Sequence, residues 1–332
     1  MAFFVTGSVG TLVYINTQSA RRKRRARRSR SGARTDVVIV AGAVANPLTN
    51  ALYLDLERRG FVVYVVAHTA EDEHFIRNQN RADLLPLPLD LVDPFTAQGQ
   101  RRHLQDFLGK EHFAFEEAEP HRLRLCGLVL VPDTHSAAAR VEDISSEEWS
   151  DALNAKVLNT IAITQLLLPV VLEHKAKVLL LTPSMTPAIA PPMHALESTV
   201  YGGLKGFAES LAAELQQDGV AFSHFKLGNI DVPAITARNR RNGIPPPRLR
   251  PTPLRTLHDA VFDTIVASRT PRTRYVGRGG FTYDFLGRTL PPGLISWMLG
   301  LGRRGRMEKR ESEESLVGSA GSLTWEKVES EV

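Results

Sequence analysis

The chain has 332 residues, 43% of them hydrophobic, which is enough to bury the core of one large α/β domain. Its single cysteine, Cys126, excludes an intramolecular disulfide, and His112, His121, His135, His194 and His224 show no metal-ligand pairing with cysteine or carboxylate, so no metal is expected. The formal net charge of +5 is uneven: Arg21 to Arg34 alone exceeds it, the stretch from Glu308 to Val332 is acidic, and no aromatic residue interleaves the arginines, so nucleic acid is not expected as a partner.

Residues 2–15 (AFFVTGSVGTLVYI) are uncharged, apolar or small, and stop just before the arginines. A spanning helix takes about twenty apolar residues. A secretory signal places its positive charge before the apolar run, whereas here the charge follows, as at an anchor whose basic flank stays in the cytosol. Gly7 and Gly10 add a small-residue spacing suited to helix pairing. The expectation is a membrane anchor over 1–16 and a basic linker over 17–35, with a lipid membrane as partner; a mitochondrial presequence and a disordered remnant are the alternatives.

Asp36-Val-Val-Ile-Val-Ala-Gly42 predicts a buried strand. Leu48 to Arg59 has helical spacing and ends at Gly60, a C-cap signal. Phe61 to Ala67 predicts a second strand and Leu84 to Leu89 a third, confined by two prolines to a short or edge position. Leu125 to Val131 predicts the fourth, with Cys126 as a buried strand thiol. A long helix follows over 146–173, N-capped near Ser145 and carrying Trp149, Leu153, Val157, Ile161 and Leu168 on one face. Further on come a strand at Lys177 to Leu181, a helix over 197–217, a strand at Val220 to Leu227 and a last strand at Arg274 to Gly277. Strands alternating with long helices predict a doubly wound, Rossmann-like parallel sheet in a single domain over 36–290. The Pro- and Arg-rich interval 235–253 is read as an irregular excursion. Residues 291–306 (PPGLISWMLGLGRRGR) are read as an amphipathic C-terminal helix, able to lie on a membrane or pack on the domain, and 307–332 as a disordered tail.

From Val37 to Gly280 the chain resembles the short-chain dehydrogenase/reductase (SDR) family. Trp149-Ser-Asp-Ala-Leu with Thr164-Gln165-Leu-Leu-Leu-Pro169 matches that family's long helix. Leu211-Ala-Ala-Glu-Leu215 leading to Leu227-Gly228-Asn-Ile-Asp231 matches its next helix and strand, and Tyr275-Val-Gly-Arg-Gly279 its last strand. The resemblance implies an NAD or NADP cofactor with a Tyr-x-x-x-Lys proton donor. On that reading Tyr201 is the acid, Lys205 lowers its pKa and Ser184 or Thr182 steadies a carbonyl.

The chemical motifs depart from the pattern. Gly42-Ala-Val-Ala-Asn46-Pro47-Leu48 stands in place of the phosphate-cradling glycine turn, and only Gly42 remains; Pro47 also lacks a backbone donor. Val131-Pro132-Asp133-Thr134 replaces Asn-Asn-Ala-Gly, and Lys156 stands where the helix asparagine would be. Asp90 matches the acid that contacts adenine. Counting thirteen residues on from Ser184, or back from Gly206-Phe-Ala-Glu, puts Glu197 in the tyrosine slot and Tyr201 in the lysine slot. A slip of one turn moves a side chain about 5.4 Å along the axis, and proton transfer needs hydrogen-bond reach.

The wording LDLERRGFVVYVV, with NTQSARRKRRARRSRSGAR after TGSVGTLVYI, is similar to a fungal family known as domain of unknown function 1776, some members of which are associated with mitochondria. The leading expectation is an anchored, cytosol-facing protein of SDR shape at the mitochondrial outer membrane, working by binding and needing no cofactor. The alternatives are an NAD(P)-dependent oxidoreductase acting on a hydrophobic, membrane-derived carbonyl or alcohol, and a scaffold or homo-oligomer built on helices 146–173 and 197–217.

Overall fold

A computed structural model of the protein describes residues 24–113, 119–133, 138–241, 250–291 and 294. The expected anchor (1–16), the acidic tail (307–332), nearly all of the 291–306 helix, the Pro-rich part of the 235–253 excursion, and His135 lie outside them.

Strands β1 (Asp36–Gly42), β2 (Val62–Ala67), β3 (Leu84–Pro88), β4 (Arg124–Val131), β5 (Lys177–Pro183), β6 (Phe222–Leu227) and β7 (Thr273–Val276) form one sheet in the order β7-β6-β5-β4-β1-β2-β3. Every neighbouring pair is parallel. Both faces must therefore be covered, and the central strands are apolar at successive positions rather than alternating ones. Val38 and Val40 of β1 face one core with Leu52, Leu56, Phe61, Val261 and Phe262. Val37 and Ile39 face the other, with Leu104, Ile163, Leu167, Leu211 and Leu215. Each such side chain, withdrawn from water, contributes roughly 1.5–3 kcal/mol before the entropy of ordering it.

The helices are α1 (Pro47–Arg58), α2 (Ala70–Arg77), α3 (Pro94–Gly109), α4 (Ser146–His174), α5 (Met185–Ile189), α6 (Ala195–Gln217), α7 (Pro233–Arg241), α8 (Leu254–Val266) and α9 (Gly280–Thr289). The predicted start of α4 is present as a capping box between Ser145 and Glu148. By length and composition α4 passes as a membrane span, yet Ile163, Leu167, Val170 and Val171 lie against the sheet, as in a core helix. Helix α2 escaped the sequence reading because only Ile76 of its eight residues is buried, leaving no apolar period. The interval expected to be irregular after Ile235 begins as the end of α7.

The basic segment differs from the expected linker. From Arg24 onward it lies along the domain: Ala26 is buried, and its N–H donates to the Arg59 carbonyl at 2.8 Å. Arg24 grips Asp263 through two hydrogen bonds, at 2.8 and 3.0 Å, and reaches Asp259 at 3.3 Å. Arg34 bridges Glu57 and Asp83 at 3.0 and 3.1 Å. Within the run, Arg24 and Arg34 are tied down because α8, the α1 end and the residue before β3 present acids to them.

Candidate functional site

The strand order reverses between β1 and β4, and in open α/β sheets ligands enter the crevice at the C-terminal ends of strands at such a point. Gly42 closes β1 here. A Cβ on it would lie 2.3 Å from the Val131 carbonyl oxygen, so glycine is required for β1 and β4 to pair to their ends.

The next residues turn the chain into α1. Asn46 is its N-cap: the side-chain oxygen accepts from the Leu48 N–H at 2.9 Å, and Pro47 supplies the first helical residue. The Asn46 amide also donates to Asp133 Oδ1 at 2.6 Å, linking the β1–α1 turn to the residue just beyond β4. Across from it, the Tyr201 hydroxyl donates to the Asp133 carbonyl at 2.7 Å. Asp133 is thus the knot of the crevice, tied through its carboxylate to one wall and through its backbone to another.

Lys156 lies in the π-helical turn Leu153–Leu158 of α4, buried in the same region. Burial lowers its pKa, opposed by the negative charges of Asp133 and Glu197. Glu197, in the first turn of α6, pairs with His194 Nδ1 at 3.1 Å. Asp133, Lys156, Glu197 and Tyr201 therefore occupy one neighbourhood. All four stand at positions where the sequence departs from the family pattern.

Tyr201 is only 1% exposed. Burial raises its pKa above the ordinary tyrosine value, and Glu197 and Asp133 raise it further. A catalytic tyrosine acting as an acid near neutrality requires a shift in the other direction. Lys205 is half-buried one turn further along α6, and its charge helps depress His224. Ser184 follows β5 directly, and its hydroxyl donates to the Gly280 carbonyl at 2.5 Å while its N–H donates to the Leu227 carbonyl. Thr182 pairs with His224 Nε2 at 2.7 Å. Tyr201, Ser184 and Thr182, which the enzyme reading needs together, are engaged with three different internal partners. Asp90 is exposed and accepts from the N–H groups of Val92 and Asp93, serving its own turn.

Beneath the crevice is a cluster that the sequence did not announce. Lys226 Nζ and Asp284 Oδ1 meet at 2.5 Å with both side chains 7% exposed. The Tyr275 hydroxyl donates to the other carboxylate oxygen at 2.6 Å, which Arg288 also reaches at 3.0 Å. His224 sits nearby, its pKa lowered to about 4 by burial and by Lys226. These residues come from β6, β7 and α9, so sequence spacing offers no sign of their meeting.

The fold is that of short-chain dehydrogenases. A short-chain dehydrogenase from Streptomyces avermitilis superposes with a TM-score of 0.57 at 16% identity, over 83% of this chain and 97% of that one. The structure of gox2181 gives 0.57 at 14% identity, over 78% and 98%. In sequence, the UPF0744 protein C106.03 of Schizosaccharomyces pombe is 26% identical over 302 residues, 90% of this chain and 78% of that protein. The model of a fungal family of unknown function, DUF1776, matches residues 33–247 and 236–296, and the chain belongs to that family.

Proposed function

We propose that this protein keeps the SDR scaffold without its oxidoreduction and works as a binding module. The observation that carries the reading is the double engagement of Asp133. Its carboxylate, held by Asn46 at the N-terminus of α1, stands where a dinucleotide would bring its own negative pyrophosphate. The Asn46 side chain and Pro47 have already removed donors that such a phosphate would use. The residues present do not fit a nicotinamide dinucleotide. The orientation of Tyr201 toward the Asp133 backbone supports the same conclusion.

The working surface proposed is the face of α4 and α6. Gly202, Gly203 and Gly206 have open space above their Cα atoms, and Leu158 is 54% exposed, so a second helix pair could approach closely. A second copy of this chain is the partner proposed. The expected setting is a membrane reached through residues 1–16, facing the cytosol at the mitochondrial outer membrane.

Calorimetric titration of the full-length chain with NADPH and NADH tests the central claim. No saturable heat is expected at millimolar cofactor, from protein whose unfolding transition shows it to be folded. Micromolar binding would overturn the reading and restore the oxidoreductase. Light scattering of the wild type against Leu158→Glu tests the surface: a dimer that becomes monomeric supports it, and an unchanged mass removes it.

A further inference from the structure

The N-terminal ends of the strands, opposite the crevice, border a solvent-open pocket of about 260 Å³ lined by Arg27, Arg124, Lys175, Lys177, Asp36 and Cys126. Four cationic side chains face one carboxylate there. Their internal commitments differ. Lys177 Nζ donates to the carbonyls of Thr264 and Ile265, each at 2.9 Å, and to that of Ala267, so it neutralises the C-terminus of α8. Lys175 Nζ gives one bond, to the Asp218 carbonyl at 2.9 Å, from a residue in the left-handed conformation at φ 52°. That backbone position favours glycine, yet a lysine stands on it and reaches the cavity.

The two guanidinium groups are the informative ones. Arg24 and Arg34, in the same docked segment, are each paired with two carboxylates. Among the described residues, neither Arg27 nor Arg124 forms an ion pair, and both line the pocket together with Asp36. Asp36 itself accepts from the Arg27 backbone N–H at 3.3 Å and pairs in register with Arg124 across the β1–β4 ladder. The docked segment therefore uses some arginines to hold itself down and presents another, solvent-exposed, at the pocket. Arginine forks match phosphate oxygens in pairs, and a small cavity with several cations suits a compact dianion better than a single carboxylate.

We propose that this cavity is a binding site for a phosphomonoester group, held by Arg27 and Arg124 with Lys175 in support. The group could be the headgroup of an acidic lipid or a soluble phosphate compound; the recognising chemistry is the same. The proposal stands apart from the reading of the crevice, since the site lies at the other end of the sheet.

Cys126 is the only cysteine of the chain and lines the cavity, so its alkylation rate reports occupancy in the unmodified full-length protein. The rate is measured in phosphatidylcholine vesicles with potassium chloride, with inorganic phosphate at equal ionic strength, and with phosphatidic acid as one component in ten. Slowing of roughly ten-fold at saturating ligand is expected. Protection by phosphatidic acid alone identifies a lipid headgroup, and protection by inorganic phosphate identifies a soluble ligand. The double variant Arg27→Gln/Arg124→Gln should abolish protection. Arg25→Gln/Arg30→Gln, which removes the same charge at positions that do not line the pocket, should retain it. Absence of protection in every arm, or equal loss in both double variants, would overturn the site. Because the wild-type measurement needs no variant, a misfolded substitution does not decide the matter.

Discussion

At the C-terminal end of the sheet, Asp133, Glu197 and Asp284 each hold a side-chain partner and Tyr201 is sealed in. At the N-terminal end, among the described residues, neither the Arg27 nor the Arg124 guanidinium forms an ion pair, and both line a pocket. Open α/β sheets normally do the reverse, keeping the carboxyl ends of the strands free for ligand. The difference teaches that a fold can keep its switch point while internal contacts consume it, and that unpaired charge is then the better guide to where to look for a ligand.

The strongest way to break the contrast is to unpair the buried end. Lys226→Met leaves the Asp284 carboxylate with only Tyr275 and Arg288, and should cost roughly 3 kcal/mol, as expected when one partner of a buried pair is removed. Urea unfolding of the full chain reads this directly. Adding Asp284→Leu should restore most of the loss, since a well-packed apolar replacement removes the stranded charge. A loss below about 1 kcal/mol for the single variant would mean that this end of the sheet is open to water.

Acid should act through His224 first. Its pKa in the folded protein is lowered to about 4 by burial and by the neighbouring Lys226 and Lys205, against an ordinary value near 6.5. The folded state refuses a proton that the unfolded state accepts, so stability from this group is complete above pH 6.5 and falls away down to about pH 4. The full loss is roughly 3 kcal/mol. Asp284, whose pKa is lowered despite burial by Lys226 and Tyr275, gives up its contribution only at lower pH, below the ordinary carboxylate range. Unfolding free energies measured between pH 7 and pH 4 should slope in the wild type and flatten in His224→Asn. An unchanged slope would assign the effect to another group.

Tyr201→Phe separates structure from chemistry. It removes the donor to the Asp133 carbonyl and should cost about 1 kcal/mol, with no change in any nicotinamide-linked turnover. A tyrosine that acted as the acid would show the opposite result, lost turnover at little cost in stability.

Much of the fold was legible because strand runs such as Asp36–Gly42 are apolar at successive positions, and Pro86 and Pro88 mark β3 as the edge strand that it is. The substitutions in the crevice were legible by counting, since Asp133, Lys156 and Glu197 occupy fixed offsets from recognisable helix wording. Their convergence was not. Asn46 meets Asp133 across 87 residues, and Lys226 meets Asp284 across 58. The basic run misled for a physical reason: Arg24 and Asp263 are 239 residues apart, and a charge block carries no mark of which members find buried acids.

The finest test lies within that block. Arg24 and Arg27 stand three residues apart, with the same side chain, on the same docked segment. Arg24 is 15% exposed and holds Asp259 and Asp263, so Arg24→Gln should cost about 1 kcal/mol, at the upper end for a partly exposed pair. Arg27 touches its surroundings through its backbone N–H to Asp36, which glutamine preserves, so Arg27→Gln should change stability by less than about 0.5 kcal/mol. If phosphate binds where proposed, the order reverses in its presence: saturating phosphate should raise the unfolding free energy of the wild type and of Arg24→Gln, and should leave Arg27→Gln lower than both. A guanidinium kept for folding and one kept for a ligand differ in that sign, and equal responses of the two variants to phosphate would erase the distinction between them.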